Sequence, residues 1–68
     1  MSKKLGLVIM VYRKKRGLKQ VELAEKVGVA SDTISRIERD VQSPSKDLLE
    51  KIADVLEVSV ATIKKKGV

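Results

Sequence analysis

With 68 residues, no Cys and no His, the chain is long enough for one small domain, and it excludes disulfides, thiolate or imidazole metal sites and the common nucleophile–base arrangements. A formal net charge of +6 and a pI near 9.8 suggest an anionic partner such as nucleic acid. The charge is unevenly spread: residues 1–19 hold seven bases and no acid, Lys64 to Lys66 add three, and residues 20–63 hold five bases against nine acids, so the pI alone does not locate a binding surface.

In chain order, Lys3 and Lys4 lead into the apolar run LGLVIMVY, which superficially resembles a signal peptide. Arg13 to Arg16 follow at once with no small-residue cleavage site, and eight residues are too few to span a bilayer. The expectation is a cytoplasmic protein with no membrane contact. The run itself fits a buried strand or a helix, but no second strand candidate exists to pair with it, so helix is the more economical reading. Leu5, Ile9 and Tyr12 are spaced for one helix, closed by Gly17. Val21, Leu23, Ala24 and Val27 mark a second, closed by Gly28; Ile34 and Ile37 mark a third. The DVQSPS loop follows, where Pro44 should help to stop the third helix and Ser45 should cap the fourth. Leu48, Leu49, Ile52, Val55 and Leu56 mark that fourth helix, and after Val58 and Ser59 come Val60 and Ile63 of a fifth. The predicted fold is all-α, five short helices in a single compact domain over residues 1–68, with short basic ends at 1–4 and 64–68. A core this small is marginal, which favours oligomerisation.

Residues 20–39, QVELAEKVGVASDTISRIER, read as a helix-turn-helix. Ala24 is small where the second helix must approach the first closely, and Gly28 sits where the tight turn needs a positive φ. Leu23, Val27, Val29, Ile34 and Ile37 are apolar where the helices face each other and the core. Together with Arg13 seven residues before Gln20, the ELA of Glu22 to Ala24, KVGV of Lys26 to Val29, TISRIER of Thr33 to Arg39 and PSKDLLEKIADVLEVS of Pro44 to Ser59, these residues resemble the Cro and lambda-repressor (Xre-type) helix-turn-helix family from about Leu5 to Ile63.

The resemblance implies a sequence-specific regulator of transcription whose second motif helix enters the major groove of double-stranded DNA. It also explains why the most patterned stretch, VGVASDTISR, is nearly neutral in so basic a chain: a bulky, charged front would keep that helix out. The implied base-contacting residues are Ala30, Ser31, Asp32, Ser35 and Arg36. A thymine methyl suits Ala30, several base edges suit Ser31, a cytosine amino group suits Asp32, and guanine O6 and N7 suit the Arg36 guanidinium. Asp32 and Arg36 are also spaced i, i+4, so pairing that pre-orients Arg36 is the preferred role for Asp32. The implied phosphate contacts are Lys19, Gln20, Thr33, Arg39, Gln42, Ser43 and Lys46, and Arg13 with Glu38 is the implied ion pair between the first and third helices. Lys19, Ala30 and Asp40 depart from the family pattern, which favours hydroxyl or amide caps at the first two and Gly at the third.

The first helix is apolar nearly all round. Leu7, Met10 and Val11 are therefore candidates for contact with another subunit or protein, while the family's usual dimer surface maps onto Val58, Val60 and Ile63. The sequence-based reading is a repressor acting as a homodimer on inverted half-sites, of the phage, mobile-element or restriction-controller type. No cofactor, metal or small-molecule ligand is expected; with no residues left for a sensing domain, control would come from concentration, proteolysis or a partner or antirepressor protein. The rival reading is an antitoxin-like module whose first helix docks on a toxin. An enzyme is disfavoured, because the nine carboxylates are scattered at helix-surface spacing.

Overall fold

The computed structural model describes residues 5–66; of the expected basic ends, residues 1–4 and 67–68 lie outside the described residues. Five helices follow one another: α1 (Leu5–Lys15), α2 (Gln20–Val27), α3 (Ser31–Glu38), α4 (Lys46–Leu56) and α5 (Val60–Lys66). The apolar run, read from sequence as a helix in preference to a lone strand, lies in α1, and no strand occurs among the described residues.

Every helix contributes to one core. Ile9 of α1, Leu23, Ala24 and Val27 of α2, Ile34 and Ile37 of α3, Leu49, Ile52, Ala53 and Leu56 of α4, and Ile63 of α5 are all buried. Each fully buried Ile or Leu contributes about 1.5–3 kcal/mol relative to exposure, so the recurrence at three and four residues that defines the helices also holds them together.

Gly6 sets the closest approach. A Cβ built there would stand 2.5 Å from the Glu38 carbonyl oxygen and closer still to that of Ile37, so only glycine lets α1 rest on the C-terminal end of α3. The Gly6 N–H donates to Asp40 Oδ1 at 3.1 Å, which gives the first turn of α1 an acceptor from far along the chain.

The helix ends have identifiable causes. Gly17 (φ 70°) and Gly28 (φ 77°) follow α1 and α2 in left-handed conformation. The end of α3 corrects the sequence reading: the helix stops at Glu38, and Pro44 lies beyond the turn that stops it. Asp40 at φ 58° makes that turn, its N–H bonding to Ile37 O at 3.1 Å and that of Val41 to Arg36 O at 3.0 Å, the paired bonds of a Schellman cap. Ser45 does cap α4, its Oγ accepting from the Leu48 N–H at 3.1 Å. At the far end of α4, Glu57 turns left-handed (φ 60°) and Arg16 Nε donates to the Leu56 carbonyl at 3.0 Å, so the last member of the basic run that ends α1, though exposed, also caps α4.

Candidate nucleic-acid interface

α2 and α3 form the two arms of the helix-turn-helix. Leu23, Ala24 and Val27 of the first arm and Ile34 and Ile37 of the second are buried between them and the core, and Val29 in the turn is half-buried against it. Burying that side of α3 leaves the opposite side to solvent. Ala30 and Ser31, Asp32 and Arg36 of α3 are exposed there, with Thr33 and Ser35 half-buried beside them.

The N-terminal end of α3 is open. Ala30 takes the N-cap position in extended conformation (φ −71°, ψ 150°), and having no side-chain oxygen it makes no cap bond to the first turn. That leaves the front of the helix narrow and partly positive by its own dipole. Behind the front, Arg36 Nη2 lies 2.9 Å from Asp32 Oδ2 across one turn. Both side chains are more than half exposed, at 53% and 65%, so the pair adds only about 0.3–0.5 kcal/mol; its effect is to hold the guanidinium over the exposed side of the helix.

The rear of α3 is anchored in a buried polar network. Arg13 Nε donates to Glu38 Oε2 at 2.6 Å and Arg13 Nη2 to Glu38 Oε1 at 3.1 Å, with the two side chains 8% and 2% exposed. The third guanidinium arm donates to the Leu18 carbonyl at 2.7 Å, and Gln20 Nε2 donates to Glu38 Oε1 at 2.9 Å. Charge and hydrogen bonds are thus satisfied together, which a buried ion pair requires. The network joins α1, the start of α2 and the end of α3. It also turns the Gln20 amide inward, so that side chain is engaged with Glu38 instead of projecting freely to a phosphate.

The positions assigned to the phosphate backbone fall at the start of α2, on α3 at Thr33, and on the loop that leads into α4. Lys19 is exposed at the N-cap of α2. Its ammonium cannot accept a hydrogen bond, so the conventional cap is missing, but Glu22 Oε1 accepts from the Lys19 N–H at 2.7 Å and supplies the reciprocal half of a capping box. Arg39, Gln42 and Ser43, in the loop after α3, and Lys46 at the start of α4 are exposed as well; Arg39 Nε makes a long, 3.4 Å contact to Ser35 O. Sequence reasoning gives no role to Gly6, to the Glu22 carboxylate as a cap or to the Asp40 carboxylate as an acceptor. A lone glycine inside an apolar helix, and Glu three residues after the N-cap, were the available signals.

The candidate contact surfaces divide. Leu7 and Val11 are exposed, at 47% and 42%, and Met10 is half-buried. Ile63, expected at a dimer surface, is instead fully buried in the chain's own core, because α5 turns that side chain toward α1 and α4; only half-buried Val58 and Val60 of that trio retain surface. Val21 and Val41 are exposed too, two surface apolar side chains that the helical spacing does not identify. Among the described residues no helix is long and apolar enough to cross a membrane.

The family described as helix-turn-helix matches residues 9–63. The HTH-type transcriptional regulator SinR of Bacillus subtilis (strain 168) is 50% identical over 60 residues, covering 87% of this chain and 54% of SinR, so the chain spans about half the length of that relative. The crystal structure of SinR, described as the master regulator for biofilm formation, in complex with DNA superposes with a TM-score of 0.81 at 50% identity, over 87% of this chain and 95% of that one. The P22 c2 repressor in complex with a synthetic operator superposes with a TM-score of 0.88 at 30% identity, over 94% and 97% of the two chains.

Proposed function

The chain belongs to the Cro/C1-type helix-turn-helix family, and from that premise we propose that it is a sequence-specific double-stranded DNA-binding regulator of transcription, a repressor acting as a homodimer on an inverted-repeat operator in the cytoplasm. The observation that carries the reading is the narrow, uncapped and exposed front of α3 on a motif whose relatives include SinR and the P22 c2 repressor, each solved on DNA.

In this reading the first turn of α3 lies in the major groove. Ala30 and Ser31 approach the base edges, Ser35 lies one turn deeper, and Arg36, held by Asp32, donates two bonds to a guanine. Lys19, Thr33, Arg39, Gln42, Ser43 and Lys46 bind sugar-phosphate on either side and fix the register. Gln20 reaches phosphate through its backbone N–H at the start of α2, its side chain being committed to Glu38. Two copies place two such helices about 34–36 Å apart on one face of the duplex.

Selection of bound sites from random duplex, followed by binding across a salt series, tests this. The expected result is a palindromic consensus with affinity falling steeply as salt rises. Arg36→Ala should relax preference at one base step by about 1–3 kcal/mol, whereas Lys46→Ala should weaken all sequences alike and reduce the salt slope by about one. Enrichment of no consensus, or an Arg36→Ala effect equal at every position, would contradict the proposal.

A further inference from the structure

α1 has two opposed sides. Gly6, Ile9 and Arg13 face inward, and Leu7 and Val11 lie on the far side of the same helix with Lys14 and Lys15 one turn on. Between Leu7, Val8, Val11, Tyr12 and Lys15 runs a shallow groove of about 170 Å³. Its floor is apolar, and the Lys15 ammonium stands at its rim, 5.4 Å from the centre of the Tyr12 ring. Exposed Leu and Val side by side on a helix of a small domain constitute an unburied face, and they lie away from α3.

We infer that this groove is a docking site for an amphipathic helix of a partner protein, one that presents an apolar seam flanked by Asp or Glu. The charge on α1 selects that chemistry. Lys15 lines the groove and Lys14 is exposed beside it, while Arg13, the third base of the helix, is turned inward to Glu38; α1 carries no carboxylate to pair with either lysine. A second copy presenting α1 sets Lys14 and Lys15 against bases. A second copy presenting α4 supplies carboxylates, Asp47, Glu50 and Asp54, but no seam, because Leu48 and Val55 of that helix pack against the core and its exposed ridge carries no large apolar side chain. An acidic amphipathic helix meets both demands at once: an apolar side chain fills the groove while a carboxylate one turn away meets Lys15. Because the inward side of α1 faces α3, the bound helix leaves the front of α3 uncovered. This surface stands independently of the DNA reading.

The test uses a designed 18-residue helical peptide with Leu along one face and Glu flanking it, and the same peptide with Lys in place of Glu. Each is titrated into the isotope-labelled full chain and followed by amide shifts. The Glu peptide should shift residues 7–15 and bind at least tenfold more tightly than the Lys peptide. Val11→Ser should weaken it at least fivefold, and Lys15→Glu should reverse the preference between the two peptides. Both positions are exposed, and unchanged melting temperatures of the variants confirm that folding is intact. Absence of shifts in α1, equal binding of both peptides, or no reversal with Lys15→Glu would overturn the inference. So would concentration-dependent α1 shifts without peptide, which assign the face to a second copy, or α1 shifts with anionic phospholipid vesicles and none with either peptide, which assign it to lipid.

Discussion

Removing the carboxylate of Glu38 probes the joint on which the orientation of α3 depends. Glu38→Ala leaves the Arg13 guanidinium buried with only the Leu18 carbonyl as partner and leaves the Gln20 amide without its acceptor. Breaking one side of a buried pair typically costs about 3–5 kcal/mol, because the remaining charge stays desolvated. A domain of this size has roughly 3–10 kcal/mol in total, at about 0.05–0.15 kcal/mol per residue, so the loss removes about a third of the stability at the least and nearly all of it at the most. With a urea m-value of about 1 kcal/mol/M, the midpoint should fall by roughly 3 M or more. Arg13→Met should cost a similar amount, because it strands Glu38. The double variant Arg13→Met, Glu38→Leu removes both charges and should recover most of the loss, to within about 1–2 kcal/mol of the parent, with the unpaired Gln20 amide free to turn to solvent. Equilibrium urea unfolding of the four proteins completes the cycle. Single-variant losses below about 1 kcal/mol, or a double variant as unstable as the sum of the singles, would refute the reasoning.

Three further substitutions test the joints around α3 and α4. Gly6→Ala gains about 1 kcal/mol of helix propensity but drives a Cβ into the carbonyls of Ile37 and Glu38, which are backbone and cannot swing aside; a net loss of about 1–3 kcal/mol is expected in thermal unfolding, and a stabilised variant would contradict the close approach. Asp40→Ala should be less stable than Asp40→Gly by about 1 kcal/mol in urea, since both lose the bond to the Gly6 N–H and only Ala resists the left-handed turn; equal stabilities would contradict that account of the turn. Ser45→Ala should cost about 1 kcal/mol through loss of the bond to the Leu48 N–H, and an unchanged urea midpoint would show that the cap adds nothing.

Much of this architecture was legible in the sequence because period and punctuation agreed. The apolar spacing of Leu23, Val27, Ile34 and Ile37, and the glycines at 17 and 28, carry the information within a few residues of where it is used. What stayed hidden acts at a distance. Asp40 reads as a poor substitute for glycine until its carboxylate is seen to serve the first turn of α1, thirty-four residues earlier. Arg16 reads as one more charge in a basic run, yet it caps α4 forty residues on. Ile63 illustrates the converse: its sequence position near a family dimer surface says nothing of the direction in which α5 turns it. At the candidate interface, the exposed residues followed from which side of α3 is apolar, but the inward turn of the Gln20 amide did not, because it depends on the Glu38 carboxylate eighteen residues away. Local chemistry is written in the local sequence, whereas reciprocal contacts between helices emerge only when the helices pack.

The central claim is that the slim leading turn of α3 meets the bases. Amide and side-chain shifts of residues 30–36, followed while a selected duplex is titrated into the full chain, test it most directly. The account predicts large, saturating changes at Ser31, Asp32, Ser35 and Arg36 that vanish when the consensus bases are altered. Unmoved signals at those positions under saturating duplex, with changes confined to the basic residues of α1 and α5, would contradict it.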